Sequence, residues 1–337
     1  MKQRISLFLL LSALVSLASC TKEIKFKGEQ TEPKLVLYSV AQAGKPLEVQ
    51  ISQSVFFLDA GMLDDYAKSL RPEEGSVKLY VNDSDIPYVL TRRIPQPVDL
   101  DGDGNPDTMD LPEAPLYYDS AYVPAAGDRL RLVASFPGFD EASAEVQLPL
   151  CSSLTVNSAS ARPIGDETLN YRYYDLTLTV KRGADPQCYY GIRPYIAVSY
   201  IYQGEPMQHT FSWDIESDDF LFQGNGGTTD QISQLFSDDN VSMLFADTKI
   251  PSDTYTFRCS FQAYNLDILR TEGGTAECYL VFTTMTRDLY FYRTSMAALN
   301  GSSSFSLFSE ATGIYSNVKG GYGCFCASSS LKIALDL

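Results

Sequence analysis

Asp128-Arg129-Leu130-Arg131-Leu132-Val133-Ala134-Ser135-Phe136 sets apolar side chains at alternate positions, Leu130, Leu132, Ala134 and Phe136, then turns at Pro137-Gly138. Glu141 to Leu148 alternates again and stops at Pro149. A period of two marks a strand with one buried face, and two such runs around a Pro-Gly turn imply antiparallel pairing. Towards the N-terminus, Lys34–Val40 and Leu47–Val55 flank Gly44-Lys45-Pro46, and Ser76–Val81 and Ile86–Leu90 flank Asn82-Asp83-Ser84-Asp85. Short strands punctuated in this way predict an immunoglobulin-like β-sandwich over residues 34–150. Towards the C-terminus, Tyr171–Val180, Tyr189–Tyr202, Met243–Phe245, Thr254–Tyr264, Ala276–Thr284, Tyr322–Phe325 and Leu331–Leu337 continue the strand pattern, with Ser217–Asp239 as an acidic, Gly-bearing excursion. A single helix is expected at Arg287–Leu299, where Leu289, Tyr292, Met296 and Leu299 recur at helical spacing before Asn300-Gly301. The fold class is therefore mainly β: a sandwich, then a larger β-rich domain over 151–337 with one C-terminal helix.

The beginning of the chain assigns its compartment. Lys2 and Arg4 precede an apolar run from Ile5 to Leu17, followed by Leu17-Ala18-Ser19-Cys20. A basic start, a short apolar core and small residues before a cysteine describe an export signal over 1–19, with Cys20 as the lipid attachment point. Residues 20–33 then read as a lipidated tether. The expected location is the outer membrane through the lipid anchor, with the cell surface favoured over the periplasmic face. The chain carries 26 Lys+Arg against 42 Asp+Glu, a net −16, and loss of residues 1–19 would remove two bases and no acid. Such a charge repels phosphate backbones and argues against nucleic-acid binding. Beyond Cys20 lie Cys151, Cys188, Cys259, Cys278, Cys324 and Cys326. An even number in an exported chain suggests disulfides, with Cys259 and Cys278 facing each other across a hairpin as the favoured pair; ordinary burial accounts for all six equally well.

The sharpest motif is Asp99-Leu100-Asp101-Gly102-Asp103-Gly104-Asn105-Pro106-Asp107-Thr108-Met109-Asp110. Side-chain oxygens fall at loop positions one, three, five, nine and twelve, with Gly104 at six and the Asn105 carbonyl at seven. That is the spacing of a calcium loop. Asp99, Asp101, Asp103, Asn105, Asp107 and Asp110 are the expected ligands, and the ion's expected role is structural. Asp110 stands in place of the usual bidentate Glu, and Pro95, Pro97, Pro112 and Pro115 forbid flanking helices, so this is not an EF-hand pair. The alternative is an acidic surface turn without an ion.

Signals for catalysis are few. His209 is the only histidine, and no G-x-S-x-G elbow is present. Asp218-Asp219 and Asp238-Asp239 could serve glycoside hydrolysis only if two carboxyls met across a rigid cleft, and their polar flanks read as solvated loop charge. Tyrosine is abundant at 22, beside 18 Phe and one Trp. Tyr189, Tyr190, Tyr195, Tyr200 and Tyr202, with Trp213, are candidates for a ligand or partner surface, since tyrosine offers contact area with a polar tip; core packing is the competing role for alternate tyrosines in strands.

The tail carries a resemblance. Leu289-Tyr290-Phe291-Tyr292-Arg293, Phe308-Ser309-Glu310 and Ile314-Tyr315-Ser316-Asn317-Val318-Lys319-Gly320-Gly321-Tyr322-Gly323 resemble the end of a Bacteroidetes outer-membrane lipoprotein family of unassigned function (domain-of-unknown-function 4249-like). Pro33-Lys34-Leu35-Val36-Leu37, Gly127-Asp128-Arg129-Leu130-Arg131-Leu132 and Ala144-Glu145-Val146-Gln147-Leu148-Pro149 are similar to that family as well. The resemblance implies genes beside TonB-dependent transporters and brings no catalytic residues. The expected function is a non-enzymatic accessory or ligand-capture partner of such a transporter. A calcium-stabilised surface adhesin or glycan/peptide-binding protein is the second expectation, and a hydrolase with carboxylates assembled only in the fold is the third.

Overall fold

In the computed structural model, residues 32–54, 74–93, 116–119, 121–164, 171–183, 187–223, 241–270, 274–301 and 313–337 are described. The first-half strands are β1 (Leu35–Gln42), β2 (Glu48–Gln53), β3 (Ser76–Val81), β4 (Tyr88–Arg93), β5 (Leu116–Tyr118), β6 (Arg129–Ser135) and β7 (Ala142–Gln147). The second half supplies β8 (Leu154–Pro163), β9 (Tyr171–Lys181), β10 (Tyr189–Tyr202), β11 (Glu205–Ser212), β12 (Met243–Ala246), β13 (Thr254–Tyr264), β14 (Thr275–Met285) and β15 (Tyr322–Leu335). Among the described residues the α-helices are the single turn α1 (Leu266–Leu269) and the longer α2 (Arg287–Gly301). The fold is thus mainly β, with two sheets and a C-terminal helix.

The larger sheet runs β11-β10-β14-β15-β1-β2-β5-β4-β3-β6-β7, with β12 beside β10. The alternation read at Leu130, Leu132 and Ala134 is realised, because these side chains are fully buried while Arg129, Arg131 and Ser135 are exposed. They pack with Leu35, Leu37, Val49, Ile51, Val77 and Leu79, and with Phe325 and Ala327 from the last strand. Fully burying such a side chain contributes about 1.5–3 kcal/mol. The sheet path returns on itself: Ser143 in β7 exchanges backbone hydrogen bonds with Lys319, just before β15, at 2.9 and 2.8 Å.

The last strand joins the halves. β15 pairs in parallel with β1, Val36 to Tyr322 through Gln42 to Ser328, and antiparallel with β14 on its other side. Pro33–Leu337 forms one compact unit. The halves expected to separate at residue 150 therefore share one sheet, and the aromatic stretch and final strand expected separately in the tail are one strand. The smaller sheet, β13-β9-β8, covers β10 and β14. Leu176, Leu178 and Val180 of β9 and Phe257 and Phe261 of β13 meet Ile192, Ile196 and Val198 of β10 and Leu280 and Phe282 of β14 in a second core. On a further face, α2 lays Leu289 with Met285, Cys324 and Cys326, against which Tyr38, Tyr189, Tyr290 and Tyr292 pack.

The expected Cys259–Cys278 hairpin is corrected. β13 pairs with β9 and β14 pairs with β10 and β15, so the consecutive strands belong to opposite sheets. Both cysteines are buried free thiols in the core between the sheets. Burial pushes each thiol up to about 12, which keeps it protonated and unreactive at neutral pH.

The tail motif that carries the family resemblance is a clasp. Asn317 donates to the Phe325 carbonyl at 2.8 Å and accepts from the Phe325 N–H at 2.9 Å, standing in for a strand partner. Asn317 and the Tyr315 hydroxyl both donate to Asp288 in the first turn of α2. Two glycines admit the neighbouring backbones. Gly320 (φ +76°) would place a Cβ 2.1 Å from the Glu141 carbonyl oxygen, and Gly323 (φ +107°) one 2.0 Å from that of Leu37. Gly323→Ala, which combines a forbidden contact with a left-handed backbone, is expected to cost more than about 3 kcal/mol, read by urea unfolding. A loss under 1 kcal/mol would mean that the β1–β15 contact is looser than described.

Asp128, ahead of β6, forms a second clasp. Its carboxylate accepts from the Asn82 amide and the Ala125 N–H, each at 2.8 Å, and from the Tyr122 hydroxyl at 2.5 Å. Partial burial opposes the charge, but these bonds outweigh it and hold the carboxyl below the ordinary Asp value of 3.8. A depressed folded-state pKa stabilises above the unfolded value and is lost as pH falls through the folded one. Asp128→Asn is therefore expected to cost about 1–2 kcal/mol at pH 7, and the gap to wild type should close as the unfolding series is taken below pH 3.8.

Candidate functional site

The site is built by the β10–β11 hairpin. Gln203 (φ 52°) and Gly204 (φ 89°) both take left-handed backbone, the two-residue turn that suits the twist of paired strands. The register sets Ile196 opposite Phe211, Val198 opposite His209 and Tyr200 opposite Met207. Directly opposed residues share a sheet face, so His209 and Phe211 lie on the face whose Ile196 and Val198 are buried under the smaller sheet. Beyond that cover the face is open: Tyr200 is 36 % and Phe211 40 % exposed.

Six rings line it in sequence of contact. Tyr200 stacks on His209 at 5.8 Å between centroids, His209 neighbours Phe211 at 6.2 Å, and Phe211 meets Trp213 at 6.0 Å. Tyr264, at the end of β13, stands edge-on to Phe211 and Trp213 at 5.9 and 5.8 Å and faces Tyr171 at 4.7 Å. A side-chain hydrogen bond with Tyr264 is the first cause raising the Tyr171 pKa, so the Tyr171 phenol stays neutral. An array of rings with hydroxyl and imidazole tips at an edge offers contact area and hydrogen bonds to a partner.

The structure separates the other tyrosines by role. Tyr189 stacks on Tyr290 of α2 at 3.9 Å. Tyr190 is fully buried, donates to Asp247 at 2.6 Å and accepts from the Ser152 hydroxyl at 2.9 Å. Tyr195 stacks on Tyr279 at 5.4 Å, and Tyr279 lies under the Lys332 ammonium. Tyr202 belongs to the hairpin through its pairing with Glu205. Of the residues expected to form a surface, Tyr200 and Trp213 are brought together, joined by His209, Phe211, Tyr264 and Tyr171. The alternation of Met207, His209, Phe211 and Trp213 was the available signal for the first two additions.

Carboxylates converge elsewhere. Asp175, Glu216, Asp218 and Asp219 line an open groove of about 970 Å³ with Ser158, Thr177 and Arg258. Asp175 is bound to Arg162 at 2.6 Å, and Asp219 caps the turn Phe220–Phe222 through the Leu221 N–H while accepting from the Tyr255 hydroxyl, both at 3.0 Å. These two acids are held by structural partners. Cys20, the Asp99–Asp110 loop and Asp238-Asp239 lie outside the described residues. Among the described residues no group of three or more His, Cys, Asp or Glu could hold a metal ion, and no helix is long and apolar enough to cross a membrane.

The sequence model of the family described as Domain of unknown function (DUF4249) matches residues 21–334. No curated protein matches the chain.

Trp213 is the only tryptophan, so its fluorescence reports on the ring array alone. Phe211→Ala should shift Trp213 emission to longer wavelength and cost about 1 kcal/mol or less, because Phe211 is already half open to water. An unchanged spectrum would mean that Phe211 and Trp213 are not in contact in solution.

Proposed function

The chain belongs to the DUF4249 family, and from that premise we propose that it is a lipid-anchored outer-membrane protein acting, without chemistry of its own, as the accessory or ligand-capture partner of a TonB-dependent transporter. The observation that carries this reading is the open array of six rings on β9, β10, β11 and β13 and on Trp213 just after β11. Exposed aromatic groups held rigidly by sheet register are the surface type that protein partners favour. Cys20 supplies the anchor, and the polar stretch after it gives the body reach above the membrane. The Asp99–Asp110 loop enters as a calcium-bound structural support, which leaves the binding task to the rings.

The test is purification of the tagged lipoprotein from its own outer membrane in mild detergent. A TonB-dependent transporter is expected in stoichiometric amount, and Phe211→Ala is expected to reduce its recovery by roughly tenfold, the loss of about 1.4 kcal/mol of contact. Recovery of the lipoprotein alone, with the transporter present in the membrane, would overturn the accessory role and bring the adhesin reading forward.

A further inference from the structure

We infer that β11 is an acceptor edge: a partner polypeptide adds an extended segment to it as a further strand, with alternate side chains lying on the ring array. This rests on the proposed partner role and specifies how the partner is held. The hairpin geometry defines the acceptor groups. Residues flanking a two-residue turn form a hydrogen-bonded pair, and the pattern alternates along the strands. Tyr202 and Glu205 flank the turn, so Met207, His209 and Phe211 direct their N–H and C=O groups to β10. The Trp213 N–H bond to the Pro194 carbonyl at 3.2 Å continues the same phase. Gln208, Thr210 and Ser212 therefore turn their backbone groups away from β10, as does Pro206, whose missing N–H costs β10 nothing at an outward position.

Among the described residues β11 ends the sheet order, and nothing pairs with its outer side. Long free edges are ordinarily guarded by charges, proline, bulges or cover. Three other edges follow that rule, and of these β13 carries Arg258 and is bridged at Ser260 by Glu216. β8 has a register shift between Val156 and Ser158 and ends in Arg162-Pro163, and β7 is engaged by Lys319. Met207–Ser212 has no Lys, Arg, Asp, Glu or Pro, and its pairing with β10 has no register shift.

The occupant follows from this chemistry. A row of amide donors and acceptors at strand spacing matches another polypeptide backbone. A second copy of this chain would bring a further −16 to the same edge. Glu205, exposed, begins the strand, so the added segment is an extended stretch of a different protein with apolar side chains at alternate positions and a basic residue at the end that meets Glu205.

The experiment places a photo-crosslinking benzophenone side chain at Gln208, and separately at Ser212, in the full-length lipoprotein in its own outer membrane. The expected products join both sites to one segment of one polypeptide, at positions four residues apart, the spacing of a paired strand. Thr210→Pro, which removes an outward N–H and leaves the β10 bonds intact, should cut both products at least tenfold while the melting temperature stays within a few degrees. Absence of polypeptide products, crosslinks scattered over unrelated segments, or undiminished products in folded Thr210→Pro would each overturn the strand addition. A four-residue spacing on a protein other than the transporter would uphold the strand addition and overturn the transporter reading. Scattered crosslinks on a co-purifying transporter would do the reverse.

Discussion

Everything in this molecule depends on one long-range contact, the parallel pairing of the last strand with the first. β15 carries Phe325 and Ala327 into one core and leaves Cys324 and Cys326 on the other face beneath α2. Its later residues pair with β14, which in turn pairs with β10. Parallel neighbours require a crossover, and here nearly the whole chain is the crossover. Such a contact closes a very long loop, so little of the fold's stability is available until the tail docks. This gives a physical reason for the concentration of special residues at 315–323. Asn317 satisfies both backbone groups of Phe325, Tyr315 and Asn317 converge on Asp288, and Gly320 and Gly323 permit backbone approach that no side chain could share.

The segment most useful for recognising the family is structural, and the proposed binding surface lies elsewhere. β15 anchors β14, β14 anchors β10, and β10 presents β11 at the far end of the sheet. A rigid chain of strands holding an open edge is a reasonable construction for binding, because ordering costs are met in folding instead of at the encounter.

Alternation revealed most strands and their buried faces. Leu130 and Leu132, Leu176 and Leu178, and Phe257 and Phe261 all face cores as their period requires. What alternation does not encode is the partner of each strand. Cys259 and Cys278 sit on consecutive strands with a Gly-bearing connection, yet the strands diverge to opposite sheets because each buries its apolar face against the other sheet. Tyrosine was ambiguous for a similar reason. Tyr189, Tyr190, Tyr195 and Tyr200 lie on one strand and serve respectively as a helix contact, a buried hydrogen-bond partner, an outer stack and an exposed ring. Only register decides among these roles. His209 gains its neighbours from its pairing opposite Val198 and from the diagonal to Tyr200, neither of which local sequence specifies.

The acidity of the chain connects these features. Charged residues make up 20 % of the sequence, yet Pro206–Ser212 contains no acidic or basic residue except His209. Local charge on an edge strand would suppress pairing with every other strand, wanted or unwanted. Net charge spread over the rest of the body acts differently, because it opposes the approach of a like-charged copy while a neutral or basic segment meets no such barrier. Screening confines this effect to about 8 Å at physiological ionic strength, which is the range over which two sheet edges come together. The edge can therefore stay chemically open without joining copies of the chain, and discrimination between self and partner rests on the sign of the approaching charge.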